Sequence, residues 1–394
     1  MKNIFGLASY FIKNGTRCET IKFGLTLLAT IDTSNDKEIC DILKILAHCE
    51  EFTDYVIKNT YNWNEKQQQE FYFYIAKKLH GWGKISIVEL LEADTEEKKE
   101  WILCHGCKNS IMYSYLGYIC AQKCDLFKRL KNGNLNEEEF YGATYIMDGL
   151  IDEGPCEGMS LIEEAVDLTL YYLKHLEKYI NDNIEYIDIL GRINLYFQNS
   201  EFENKELIKK QIDTITQKLD LNKIIEENIN QKPYESISIA KNYDIDISDK
   251  VLSIIKNDFN KHYVHCYYLF NKNKFIDELL DICDKEIDER RYPHKMGNSF
   301  GLGKKRDGMI DLDFIIQHLD RYPQKGIKLI KIAINSPITR WRNMAVRCLK
   351  EWIYNLNKPL KEVDVELHDM VVDVEKIEVN SETKERWREI LNIT

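Results

Sequence analysis

An all-α fold is predicted, an α-solenoid of stacked antiparallel helix pairs, and three observations predict it. The frame Trp82-x-x-Ile85-x-Ile87-x-x-Leu90 returns as Trp341-x-x-Met344-x-Val346-x-x-Leu349, and Arg340-Trp341-Arg342 returns as Arg386-Trp387-Arg388. A bulky anchor followed by aliphatic residues at helical spacing suits a helix that docks on a copy of itself, because one amphipathic pair alone leaves its apolar face in water. Helical periodicity is nearly continuous, and no run of alternating strand residues is bounded by hairpin turns. Finally, 394 residues with only six Pro and 18 Gly and an apolar fraction of 44% have the composition of ordered helix rather than of disorder or a β-sandwich.

Apolar residues at three-and-four spacing mark helices at 16–31, 36–49, 50–60, 64–79 and 95–104. His80-Gly81 and His105-Gly106 read as one device, Gly as a left-handed C-cap with His on the negative end of the helix dipole. Further helices are predicted at 109–123, 137–151, 159–179 and 185–198, broken by the loop Gly154-Pro155-Cys156-Glu157-Gly158. From 200 to 257 the composition turns to Lys, Glu, Asn and Ile, as in short exposed connecting helices. Helices resume at 262–270, 274–291, 311–321, 324–333, 339–356, 360–374 and 381–391, punctuated by Pro323, Pro337 and Pro359. Length beyond a single growing core divides the chain into an N-terminal array (1–199), a connecting helical segment (200–257) and a C-terminal array (258–394). Trp82 and Trp341 each head an apolar stripe, so both indoles are expected to be buried between helices.

The 46 residues from Trp341 to Trp387 fall within the roughly 40 to 47 of a HEAT unit. Ser336-Pro337-x-x-Arg340-Trp341-Arg342-x-x-Ala345-Val346-x-x-Leu349 resembles the second helix of a HEAT repeat. His80-Gly81-Trp82-Gly83-Lys84, with Glu92 beyond it, is similar to uncharacterised HEAT-like proteins of low-GC bacteria. The resemblance covers about a third of the chain and implies an array of HEAT-like pairs.

The strongest functional sign is charge. The formal net charge is -11, yet between Arg290 and Lys350 fourteen Lys and Arg face four Asp and no Glu, a local +10 that leaves -21 elsewhere. Such separation predicts an anionic partner at the basic end. Arg290, Arg291, Lys295, Lys304, Lys305, Arg306, Lys325, Lys328, Arg340, Arg347 and Lys350 are the expected contact residues, and Arg340, Asn343, Arg347 and Lys350 form one polar stripe of a helix. The leading expectation is a non-catalytic scaffold whose partner is a protein with an acidic surface, because the remaining -21 would repel nucleic acid. Neutralisation of these cations by acids of neighbouring helices is the rival account of the same clustering. A nucleic-acid protein that resembles the HEAT-like DNA alkylation repair glycosylases is the alternative function, and salt dependence separates it from the first. A metal-dependent enzyme using Asp148, Asp152, Glu153 and Glu157 is a third.

Other constellations point away from chemistry. Cys104-x2-Cys107 and Cys120-x3-Cys124 have spacings that suit zinc, but cysteine inside a packed helix behaves as a small apolar residue. The loop from Tyr292 to Arg306 is glycine-rich and basic but lacks phosphate-loop spacing. No catalytic signature, haem thiolate loop, flavin fingerprint or facial triad is legible, so no cofactor and no small-molecule substrate are expected. Eleven cysteines, an odd number in a long chain, predict reduced thiols and a cytoplasmic location. The apolar start to Ile12 runs into Lys13-Asn14-Gly15 without a signal cleavage site, and no apolar run approaches the roughly 18 to 20 residues of a membrane span.

Overall fold

Local start signals in the sequence become helix caps in the computed structural model. Asp36, Asn64, Thr95, Asn136, Asn183, Asp364 and Asn380 each accept a backbone N–H of the helix they precede, and Asn136 with Glu139 closes a reciprocal capping box. The structure describes all residues except 1, 155, 182, 293–295, 302–308 and 394, and the side chain of Lys2. Helix makes up 73% of it, and among the described residues there is no strand, only one isolated bridge between Ser299 and Ile338. Among the described residues no helix is long and apolar enough to cross a membrane.

The chain forms two compact units, 1–221 and 222–394. The first contains α1 (Lys2–Asn14), α2 (Cys18–Leu28), α3 (Lys37–Ala47), α4 (Glu50–Asn59), α5 (Glu65–Ala76), α6 (Gly81–Leu90) and α7 (Glu96–Trp101). A π-helical turn at Ile102–Gly106 follows, then α8 (Ser114–Lys123), α9 (Leu126–Asn132), α10 (Glu137–Ile151), α11 (Ala165–Tyr179), α12 (Ile184–Asn199) and α13 (Lys205–Thr216). Packing passes from α2 to α4, α6, α8, α10 and α12 in turn, while α9, α11 and α13 form a second layer. The cores between these helices are aliphatic with aromatic inserts: Ile146, Met147, Leu150, Leu168, Leu173 and Leu190 are essentially inaccessible.

The division falls at the start of α14 (Leu221–Asn228). The second unit continues with α15 (Pro233–Asn242), α16 (Ser248–Asn257), α17 (Phe259–His262), α18 (Cys266–Lys272), α19 (Ile276–Glu286), α20 (Ile310–Ile316) and α21 (Ile327–Ile334), then α22 (Thr339–Leu356), α23 (Leu360–Val363), α24 (Val365–Ile377) and α25 (Ser381–Leu391). Here α22 is the centre, touching α20, α21, α23 and α25. Its Trp341, Cys348, Leu349 and Trp352 are buried, as the stripe predicts.

Three local expectations are corrected. Trp82 is not buried: half of it is exposed, because it stands in the first turn of α6 with its ring edge against Tyr115 at 4.9 Å. Gly81 does take a left-handed φ of 57°, but it opens α6 rather than closing α5. The Glu50 carboxylate occupies the space a Cβ would need and accepts the Trp82 N–H at 3.1 Å. Gly106 is not left-handed either; it ends the π-helical turn, and the Lys84 ammonium caps that turn by donating to the carbonyls of His105 (2.7 Å) and Lys108 (2.6 Å).

Candidate binding face on the first unit

The segment from Arg290 to Lys350 carries fourteen Lys and Arg against four Asp. Each described cation there has an internal partner: Arg290 with Asp288, Arg291 with Asp311, Lys325 with Asp277, Arg340 with Asp313, Arg347 with Asp320 and Lys350 with Glu389. Lys328 donates to the carbonyls of Asp284 and Ile287 at the end of α19, and Lys331 pairs with Glu366. Lys295, Lys304, Lys305 and Arg306 lie outside the described residues. Among the described residues most of these cations are therefore met by acids, from neighbouring helices or, for Arg290, from two residues earlier in the chain, which is the rival account of their clustering.

The recurring Arg-Trp-Arg has a polar logic that its apolar spacing hid. The indole of Trp341 donates to Asp313 at 2.9 Å, and the same carboxylate receives Arg340. The indole of Trp387 donates to Glu378 at 3.3 Å, and that carboxylate receives Arg342 through two bonds of 2.7 Å. In each case one carboxylate accepts an indole and a guanidinium. Arg342 and Glu378 are side chains of 0% exposure, with Arg342 donating further to the Ser336 carbonyl and Glu378 accepting from Asn380 N–H.

On the first unit, charges and tyrosines meet along two packed helices. Two glycines let α8 and α10 touch: a Cβ on Gly117 would come within 2.6 Å of the Gly149 carbonyl carbon, and one on Gly149 within 2.5 Å of the Tyr113 oxygen. That approach brings Tyr113 against Tyr145, ring centroids 4.8 Å apart. Along α10, Tyr141, Tyr145, Asp148 and Asp152 recur at i, i+4, i+7 and i+11, so they share one face. Along α12, Glu185, Asp188, Arg192 and Asn199 do the same. The two faces meet. Tyr145 donates to Tyr141 (2.7 Å), Tyr141 to Glu185 (3.3 Å), and Arg192 bridges Asp148 on α10 and Asp188 on its own helix. The Lys108 ammonium lies over the rings of both Tyr141 and Tyr145.

Electrostatics follow from this packing. Burial alone would lower the Arg192 guanidinium, but Asp148 and Asp188 outweigh it and fix the positive charge. Burial, then the bond to Tyr141, raises the Tyr145 phenol, which stays a neutral donor at physiological pH. A cavity of about 780 Å³ opens where α10 ends, lined by Ile151, Asp152, Glu153, Ser160, Arg192, Leu195, Tyr196 and Phe202 among others. On the other side of the tyrosines a second cavity of about 620 Å³ is lined by His80, Lys84, Trp101, His105, Lys108 and Tyr113. Lys84 lies at its base, and burial lowers its ammonium from the usual range.

The acidic stretch from Asp148 to Glu157 does not act as one cluster. Asp148 is held by Arg192, while Glu153 accepts the Ser160 N–H. Among the described residues no three His, Cys, Asp or Glu side chains are grouped to hold a metal ion. Cys107 and Cys124 spend their thiols on backbone carbonyls, and burial raises both as well as Cys104, the last to about 11. The sequence reading missed the Tyr113–Tyr141–Tyr145 strip and Arg192. The spacing of Tyr141, Tyr145 and Asp148 was a usable signal; the 44-residue separation of Asp148 and Arg192 was not.

Compared with protein families, curated proteins and solved structures, the chain gives no match.

Proposed function

We propose that the chain is a non-catalytic α-solenoid of HEAT-like helix pairs that binds a protein partner, and that the α10–α12 face of the first unit holds it. The carrying observation is that partly exposed tyrosines of α10 and carboxylates of α10 and α12 line up along two packed helices. Tyrosine offers large rigid contact area with a polar end, the composition of interface anchors. Charge on this face is net negative: Glu185, Asp148, Asp152, Asp188, Glu153 and Glu201 against Lys108 and Arg192. A positively charged partner segment suits it, whereas a phosphate backbone is repelled, which disfavours the nucleic-acid alternative. This reverses the sign expected from the sequence, where the basic segment implied an acidic partner.

The test is fluorescence polarisation with peptides of equal length and positive, neutral or negative net charge. The positive set should bind, and Tyr141→Ala with Tyr145→Ala should weaken it at least about tenfold, a loss of two anchors. Equal binding of all three sets, or preference for the negative set, would defeat the reading.

A further inference from the structure

The cavity at the end of α10 carries a second inference that does not depend on the tyrosine strip. Its walls are Ile151, Leu195, Tyr196 and Phe202, and its volume of about 780 Å³ is that of a small-molecule site. Phe202 closes it with its ring tilted against Phe197 (centroids 5.3 Å apart) and near Tyr196 (6.4 Å), so the apolar surface is built by aromatic rings in mutual contact. Three carboxylates border these walls: Asp152, Glu153 and Glu201. The cation that also lines the cavity, Arg192, is engaged by Asp148 and Asp188. Among the described residues no Lys, Arg or His forms an ion pair with Asp152, Glu153 or Glu201, in contrast to the paired acids of the second unit. Burial and the neighbouring Glu153 raise the Tyr196 phenol, which stays a neutral donor at the cavity wall.

An apolar pocket edged by unpaired negative charge discriminates by sign. An anion of matching shape is repelled, a neutral one gains only burial, and a cation gains burial together with an ionic contact in a partly desolvated site. We propose that this cavity binds a small organic cation, an ammonium or guanidinium group on an alkyl or aryl body, with the body against Leu195, Tyr196 and Phe202 and the head among Asp152, Glu153 and Glu201.

Phenylbutylamine, phenylbutanol and phenylbutyrate test this on the full chain by titration calorimetry, since they share a body and differ in head charge. The amine should bind at least about tenfold tighter than the alcohol, a difference of about 1.4 kcal/mol, and the carboxylate should not bind. Asp152→Asn, Glu153→Gln and Glu201→Gln together should bring the amine down to the alcohol's affinity. Leu195→Trp should abolish binding of both, and the half-exposed position of Leu195 makes the larger side chain compatible with folding. Equal affinity for amine and alcohol, amine binding that survives Leu195→Trp, or no binding of any of the three would overturn the proposal. Asp152, Glu153 and Glu201 border both the cavity and the peptide face, but the peptide experiment is read at Tyr141 and Tyr145, which do not line the cavity, and Leu195→Trp acts inside it, so the two failures are distinguishable.

Discussion

Both units pair cations with acids across helices, and the instructive contrast is between the basic segment of the second unit and the cavity rim of the first. In the second, cations and acids far apart in sequence are matched pair by pair across neighbouring helices, and one pair, Arg342 with Glu378, is sealed from water. In the first, Asp152, Glu153 and Glu201 border an apolar cavity with no cation of the chain set against them among the described residues. A run of like charge in a sequence is therefore a poor guide to a surface, because the third dimension supplies partners from as far as 48 residues away, as for Lys325 and Asp277. What remains unmatched after folding is the better guide to where a ligand goes.

The largest effects should come from breaking the sealed pair. Glu378→Gln leaves Arg342 charged in a site without water and weakens the Trp387 and Asn380 bonds together, so a loss of about 3 to 5 kcal/mol is expected in denaturant unfolding. The neutral double replacement Arg342→Met with Glu378→Leu should recover much of it, since a buried pair is costlier to break than to replace. Matching losses in the single and double variants would refute this account of Glu378.

The repeated tryptophan frame gives a sharper comparison. Trp341→Ala removes a buried indole, its bond to Asp313 and its contact with Tyr292, and should cost about 3 to 5 kcal/mol. Trp82→Ala removes a side chain already half in water, and about 1 kcal/mol is expected, because the burial it gives up is correspondingly smaller. Thermal unfolding of the two variants side by side decides it; equal losses would mean that the frame performs the same job twice.

These two tryptophans also show where the sequence was legible. Helical periodicity located α10, α22 and α25 residue for residue, because long amphipathic stripes bounded by Asn, Pro or Gly leave little choice. The apolar stripe behind Trp82 was read correctly in part: Ile85 and Ile87 are buried, but Leu90 is exposed. The anchor itself was not, since its burial depends on whether another helix covers the first turn of α6, which no local pattern encodes. Short elements fared worse: α1 was read only as an apolar stretch, α9 was not foreseen, and the predicted helix at 360–374 is split at Asp364, whose carboxylate caps α24. Likewise the face on α10 was visible as a spacing of Tyr141, Tyr145 and Asp148. Its completion by Arg192 needed the tertiary fold.

Acid should separate the units further. In the second, burial and the nearby His262 lower His265 to about 4, below the ordinary imidazole value of about 6.5. The unfolded chain then binds a proton that the folded chain refuses, so this stability is complete above about pH 6.5 and is lost as the pH falls towards 4. The loss should be on the order of 2 kcal/mol, and His265→Gln should flatten it in melting curves taken at half-unit steps. A melting temperature that is constant across that window in the unsubstituted chain would rule out a buried neutral His265.

The smallest expected effects test the comparison most directly. Lys325→Gln and Arg340→Gln each remove one member of a surface pair, Asp277 and Asp313 being the acids left behind, and solvent screening keeps either loss within about 1 kcal/mol. Asp152→Asn and Glu201→Gln remove charges that have no cation set against them, so the expected change is zero or a slight gain from relieved repulsion. The two signs should also diverge with salt: raising ionic strength shrinks the penalty of the lysine and arginine variants and shrinks any gain of the acid variants. Should Asp152→Asn and Glu201→Gln instead lower the melting temperature as much as Lys325→Gln does, those carboxylates are structural. The distinction between a basic segment whose charges are satisfied and a cavity rim that keeps some for a ligand would then fail.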